Sequence, residues 1–146
     1  MRWLFLVLVA CNPFKDGTVA GKIESKGDAG DWVLTEGTCY AGQREQYHGM
    51  IAVGPGGTGI AIKLVKDAVR GWTALINNAV GCKTELEKGG CKAIALTANE
   101  CSTLEVEHAT TNTTINDIRA VEGKLRIDCR IGASSIKGEL VFDRCH

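Results

Sequence analysis

Residues 124–142, KLRIDCRIGASSIKGELVF, decide the fold class. Apolar residues at 125, 127, 129 and 131 alternate with charged ones, and the stretch from Ile136 to Phe142 repeats the same period of two. This alternation is typical of β-strands with one buried face and one solvent face. The sequence therefore predicts a β-hairpin, with residues 132–135 as a four-residue loop.

A loop of that length also fixes which residues of the hairpin face each other. It would pair Ile131 with Ile136, Leu125 with Phe142, and Cys129 with Gly138. Because a glycine opposite an inward cysteine leaves room for the sulfur, our hypothesis is that Cys129 forms a disulfide with a second layer, not along its own hairpin.

Shorter runs of β-forming residues precede the hairpin at intervals of roughly 8 to 15 residues. This spacing predicts an all-β domain, an antiparallel β-sandwich or barrel. The predicted strands are Trp32–Thr35, Tyr47–Val53, Ile60–Val65, Trp72–Ile76, Lys92–Leu96, Leu104–His108 and Ile115–Val121.

Residues 59–70 also fit a helix, which leaves an α+β fold as the alternative. Ala61, Leu64, Val65 and Ala68 follow helical spacing, but Ile60, Ile62 and Leu64 alternate, which favours a strand. The preceding GPGGTG, residues 54–59, has the G-x-G-x-x-G spacing of a dinucleotide-binding turn. Without alternating βαβ units or an acidic residue about 20 positions later, a glycine-rich hairpin turn is favoured.

The N-terminus, MRWLFLVLVAC, is typical of an export signal. Its apolar run is too short to span a membrane, which takes about 20 residues. The ending Leu8-Val9-Ala10-Cys11 resembles the lipobox of bacterial lipoproteins. The resemblance implies cleavage of residues 1–10, a lipid on Cys11, and attachment to the bacterial cell envelope. Asn12 in place of aspartate favours the outer membrane under the sorting rule of that family.

Beyond the signal, the chain divides into a tether and one domain. Residues 11–30 are predicted to be the lipidated cysteine and a flexible tether, because glycines and alternating charges dominate them. Residues 31–146 are predicted to be a disulfide-bonded β domain. Since 17 basic and 17 acidic residues balance, no partner among nucleic acids is expected, and attachment to a membrane would come from the lipid.

Six cysteines remain when Cys11 is set aside, which predicts about three disulfides in an oxidising compartment. No Cys-x-x-Cys pair is present, so no metal site is expected. Cys82 with Cys91 is the first local pairing to consider, and the connectivity otherwise stays open. The disulfide candidates are Cys39, Cys82, Cys91, Cys101, Cys129 and Cys145.

The sequence contains no recognisable catalytic motif and indicates no cofactor. In LEVEH, residues 104–108, alternation places the two glutamates on one face and His108 on the other, so they do not form a ligand set. The densest polar and aromatic cluster is CYAGQREQYHGM, residues 39–50. It predicts either a solvated loop with one or two packed tyrosines or a recognition loop, whose candidate residues are Tyr40, Arg44, Glu45, Tyr47 and His48.

The whole layout resembles the small cysteine-bearing lipoproteins of myxobacteria and related predators. It combines the short signal, the lipobox cysteine, the tether and a terminal hairpin ending in a cysteine. The resemblance implies no residue-level role. The predicted function is a non-catalytic envelope lipoprotein whose β domain is structural or binds an envelope protein or glycan. The alternatives are a secreted enzyme with a loop-borne site, and a protease inhibitor presenting residues 39–50 or 82–91.

Overall fold

The computed structural model describes residues 17–27, 30–56, 59–77 and 94–146. Within them the chain is all-β, as predicted, with one short 3₁₀ helix at Gly42–Glu45. The strands are β1 Gly17–Lys26, β2 Trp32–Ala41, β3 Gly49–Val53, β4 Ala61–Asp67, β5 Gly71–Asn77, β6 Ile94–Leu96, β7 Cys101–Ile115, β8 Ile118–Ile131 and β9 Ser134–Cys145.

All described strands belong to one antiparallel sheet, in the order β6-β5-β4-β3-β2-β1-β9-β8-β7. The two edge strands, β6 and β7, are joined by the short turn 97–100, so the sheet curls until its edges approach. Trp72 of β5 lies 5.5 Å from His108 of β7, ring centre to ring centre. The concave face therefore encloses the main core.

That core draws its side chains from both halves of the sheet. Ile23 of β1, Leu34 of β2, Leu64 of β4, Leu125 of β8 and Phe142 of β9 are each at most 1% exposed. Because strand side chains alternate between faces, the intervening residues lie on the convex face. This second face carries the candidate site.

Residues 61–67 form strand β4, which confirms the strand prediction and rules out the helix at 59–70. The strand is hydrogen-bonded on both sides, to β3 and to β5. The Gly54 amide donates to the Ile60 carbonyl (2.9 Å), which closes the hairpin loop containing GPGGTG. No helix follows these glycines, so the dinucleotide interpretation has no structural support in this segment.

The predicted tether is wrong for residues 17–26, which form β1 near the centre of the sheet, between β2 and β9. Val19, Ile23 and Ser25 alternate inward, and the register shifts between Ala20 and Ile23. Gly21 lies in this irregular stretch with φ 141°. Glycines that suggested flexibility instead allow close approach of the neighbouring strands.

The C-terminal hairpin is confirmed, but its register differs from the prediction by two residues. A two-residue turn, Gly132–Ala133, replaces the four-residue loop, so Cys129 pairs with Ile136 and Leu125 with Leu140. Gly132 has φ 56°, which a tight hairpin turn requires of its first central residue. Since the shift is even, Leu125 and Cys129 still face the core.

A further turn divides the predicted strand Ile115–Val121. Asn116 and Asp117 adopt left-handed conformations, φ 50° and 64°, as in a type I′ hairpin turn between β7 and β8. Asparagine and aspartate tolerate this conformation better than other non-glycine residues, so the signal was present in the sequence.

Two disulfides join described cysteines, Cys39–Cys145 and Cys101–Cys129. The second links β7 to its neighbour β8, with 3.8 Å between the Cα atoms, so the hypothesis that Cys129 reaches a second layer is wrong. Cys39–Cys145 joins β2 to β9 where β1 begins, beside Gly17. The predicted Cys82–Cys91 pair lies outside the described residues, as do Cys11 and the export signal.

Candidate functional site

A cavity of about 830 Å³ lies over the convex face of β1 to β4, and we call it the Tyr40 cavity. The 3₁₀ helix and the loop after β3 complete its walls. Its lining residues are Thr18, Val19, Ala20, Glu36, Gly37, Thr38, Tyr40, Ala41, Arg44, Glu45, Tyr47, Ile51, Val53, Gly54, Pro55, Gly56 and Lys63. This volume is in the usual range for small-ligand sites, about 300 to 1,000 Å³.

The floor of the cavity is apolar because β3 is buried on both faces. Its sequence GMIAV directs Met50 and Ala52 into the main core, whereas Ile51 and Val53 join Ala61 in a second apolar cluster. Tyr40 packs against that cluster from β2. An unbroken apolar run therefore supplies a core strand and, on its other face, a second apolar cluster beneath the cavity.

The 3₁₀ helix is held in place at both of its sides. The Tyr47 ring lies against Gly42, where even a methyl group would come within 2.6 Å of ring carbon Cε2. The Gln43 amide reaches the β7–β8 hairpin: it donates to the Asp117 carbonyl (3.3 Å) and accepts from the Arg119 amide (3.1 Å). These contacts hold the 3₁₀ helix, and with it Arg44 and Glu45, in the wall of the cavity.

Two cations in the cavity lie over tyrosine rings. The Arg44 guanidinium carbon is 5.1 Å from the centre of the Tyr40 ring, and Lys63 Nζ is 4.4 Å from the centre of the Tyr47 ring. Such cation–π contacts contribute roughly 0.5 to 1 kcal/mol at exposed sites. They favour the positions that both cations take over the rings.

Neither cation is neutralised by a carboxylate. Glu36 and Glu45 also line the cavity, yet among the described residues neither forms an ion pair with Arg44, with Lys63 or with any other cation. Two positive and two negative charges thus share a cavity of about 830 Å³ while all four remain unpaired within the described chain.

A second depression, of about 460 Å³, contains ion pairs of a kind that the Tyr40 cavity lacks. We call it the Lys137 depression, and it lies over β1, β8 and β9. Among its charged residues, Arg126 contacts Glu139 (3.4 Å) and also Glu105 outside the depression (3.1 Å), and Lys22 contacts Glu24 (3.5 Å), whereas Asp128 and Lys137 form no ion pair with any described residue. Most charges of this solvated sheet face are therefore paired, whereas none of the four in the Tyr40 cavity is paired within the described chain.

Four of the five candidate recognition residues line the Tyr40 cavity: Tyr40, Arg44, Glu45 and Tyr47. His48 is not among the lining residues. Its ring lies against Trp72 (5.7 Å between centres) and His108 (4.8 Å). Tyr47 therefore lines the cavity, whereas the next residue, His48, lies at the seam where β7 approaches β5.

Lys63, Glu36 and the apolar floor were not predicted from the sequence. They come from β4, β2 and β3, and only long-range strand pairing brings them together. One sequence signal could have identified Lys63: it is the single charged residue in the apolar run IAIKLV, residues 60–65. A charge at that position is readily accommodated when a cation–π partner or a polar cavity receives it.

The chemistry of the cavity comes from four charged side chains, two tyrosines and two threonines. Its lining contains two carboxylates but no histidine, so its hydroxyl groups have no histidine base beside them. In the described ranges, no three His, Cys, Asp or Glu side chains are arranged to hold a metal ion. Residues 39–50 form strand and 3₁₀ helix in the cavity wall, and the other candidate inhibitor loop, 82–91, is outside the described residues.

His108 at the seam has perturbed electrostatics. Burial lowers its pKa below the ordinary 6.5, and the neighbouring His48 and Lys66 lower it further, while a hydrogen bond with the Gly49 backbone opposes the shift. Its Nε2 atom is buried and has no hydrogen-bond partner in the described structure. The folded state therefore favours neutral His108 among Trp72, Phe142 and His48.

We expect stability to fall as the pH is lowered from 7 to 5. Below about 6.5 the unfolded chain binds a proton at His108 more readily than the folded chain does, so protonation favours unfolding. Urea unfolding at several pH values measures this dependence. His108→Phe should weaken it, whereas His146→Gln should leave it in place. An unchanged slope in His108→Phe would show that His108 does not cause the effect.

Comparison with known proteins gives no assignment. No protein-family model, no curated protein and no solved structure matches the chain. Within the described residues, no helix has the length and apolar character needed to cross a membrane. The geometry of the Tyr40 cavity and the N-terminal motif are therefore the features of this chain that bear on its function.

Proposed function

We propose that this protein is an exported lipoprotein of the bacterial cell envelope, and that its disulfide-bonded β domain is a non-catalytic module that binds an envelope component in the Tyr40 cavity. The observation that carries the proposal is the set of unpaired charges on an apolar floor. A few polar groups converging on a largely apolar pocket are the usual form of a small-ligand site.

The disulfides support the exported location. Described cysteines of the fold pair with each other, and such bonds form and persist in oxidising compartments. The lipobox Leu8-Val9-Ala10-Cys11 then supplies the anchor, and Asn12 favours the outer membrane. Lipid attachment would keep the Tyr40 cavity close to the envelope component it binds.

Binding is tested by comparing ligands retained from an envelope extract by the purified protein and its variants. Arg44→Ala/Lys63→Ala should reduce retention of the specific small molecules, identified by mass spectrometry, by about tenfold or more, because a hydrogen bond to a charged group contributes roughly 1.5 to 3 kcal/mol. Arg130→Ala, which removes an exposed cation outside the cavity, is the matched control. Equal retention by all three proteins would refute the cavity as the binding site.

Lipidation has a separate test in cells. Cys11→Ser should move the protein from the membrane fraction to a soluble or unprocessed form, because the sulfur that carries the lipid is lost. Asn12→Ser keeps Cys11 and should remain membrane-bound. Full membrane attachment of Cys11→Ser would show that the anchor is not on this residue.

A further inference from the structure

The charges of the Tyr40 cavity are separated along β2. Glu36, Thr38 and Tyr40 alternate onto the same face and all line the cavity. Since a strand rises about 3.3 Å per residue, the Cα atoms of Glu36 and Tyr40 lie roughly 13 Å apart. Glu36 therefore lies at one end of the stretch of β2 that lines the cavity.

The cations gather at the other end. Arg44 lies over the Tyr40 ring. Tyr40 pairs with Ile51, and Ile51 pairs with Lys63, so Lys63 belongs to the same row across the sheet. With Glu45 beside Arg44, this end holds two positive charges and one negative. The cavity consequently has a net positive end at Tyr40 and a negative end at Glu36.

The tyrosines are already engaged by the protein's own cations. Arg44 covers Tyr40, and Lys63 covers Tyr47, whose ring also packs on Gly42. These rings are therefore poor platforms for a cationic ligand or a stacked sugar. A guanidinium stacked on a ring keeps its N–H donors in its own plane, where they suit the bidentate geometry of a carboxylate.

We propose, building on the binding function above, that the ligand is a short peptide with free termini lying along β2. Its carboxylate binds Arg44 and Lys63, and its ammonium group binds Glu36. Three residues, at 3.3 to 3.6 Å each when extended, span about 10 Å, which suits the roughly 13 Å between the ends once the charged side chains reach inward. A zwitterion also matches the balanced charge of the cavity.

Isothermal titration calorimetry with the tripeptide Ala-Leu-Ala tests the proposal. The free peptide should bind, and its N-acetyl and C-amide derivatives should each bind about tenfold more weakly, because each loses one charged contact. Glu36→Gln should lower affinity for the free peptide while abolishing discrimination against the N-acetyl form. Arg44→Ala/Lys63→Ala should abolish discrimination against the C-amide form, because both cations that bind the carboxylate are removed. Arg130→Ala should behave like the wild type.

Blocked and free tripeptides binding with the same affinity would overturn the assignment of the termini. No binding of any tripeptide at millimolar concentration, or binding of a trigalacturonate in their place, would overturn the peptide class. In both cases the proposed function survives if retention from the envelope extract still depends on Arg44 and Lys63. If that dependence is also absent, both proposals fail.

Discussion

Replacing Cys39 and Cys145 together by alanine is expected to lower the free energy of unfolding by about 4 to 5 kcal/mol. The two residues are 106 positions apart, and cross-linking a loop of about 100 residues removes chain entropy worth roughly 4.7 kcal/mol from the unfolded state. Both cysteines are at most 1% exposed, so alanine avoids burying a new polar group. Urea unfolding at pH 7 measures the difference.

The matched variant is Cys101→Ala/Cys129→Ala. This disulfide closes a separation of only 28 residues, for which the same relation gives about 3.5 kcal/mol. It also joins two strands that are already paired in register. The loss should therefore be smaller than for Cys39–Cys145. The reverse order would mean that native contacts around each bridge, more than chain entropy, decide their contributions.

The strands whose alternation is clean were predictable, but their exact pairing was not. In the C-terminal hairpin, the faces of Leu125 and Cys129 follow from a period of two. The register depends on which residues form the turn, and both a two-residue and a four-residue loop keep the same faces inward. The left-handed conformation of Gly132 favours the two-residue turn, and the sequence pattern does not show this conformation.

β1 shows why composition misled the domain boundary. The segment GTVAGKIESK has few large apolar groups, and its glycines are typical of linkers. In the sheet, Gly17 and Gly21 instead lie so close to β9 that a side chain would overlap its backbone. Glycine is frequent both in flexible tethers and in tightly paired strands. The missing Cβ gives the backbone freedom in a tether and allows close approach of a neighbouring strand in a sheet.

Only part of the candidate site could be predicted from the sequence. Tyr40, Arg44, Glu45 and Tyr47 are close in the chain, so a local cluster revealed them. Their neighbour His48 is equally local, but the strand that begins at Gly49 directs it to the opposite seam. Membership of a site on a sheet depends on which face a residue occupies, and an irregular 3₁₀ helix interrupts the alternation that would predict the face.

Replacing Gly138 by alanine is expected to destabilise the fold by about 3 kcal/mol or more, the range of severe backbone conflicts. Gly138 has φ 142° and lies in β9 between Ile23 of β1 and Ile127 of β8. A Cβ atom here would overlap the Lys22 carbonyl oxygen and reach 2.9 Å from the Ile23 Cα atom. The conflict involves main-chain atoms of a central strand, so no side-chain rotation relieves it.

Gly56→Ala is the matched control, because a Cβ atom at Gly56 meets no heavy atom within 4 Å. It should change stability by less than about 0.5 kcal/mol, as surface substitutions usually do. Thermal unfolding of both variants beside the wild type separates the two cases. Equal stability of Gly138→Ala and the wild type would mean that β1 and β9 are not packed as closely as described. Because the Tyr40 cavity is built partly on β1, Gly138→Ala should also weaken ligand retention. Gly56→Ala changes a cavity-lining residue without disturbing the fold, so a loss of retention in that variant would come from the loop itself.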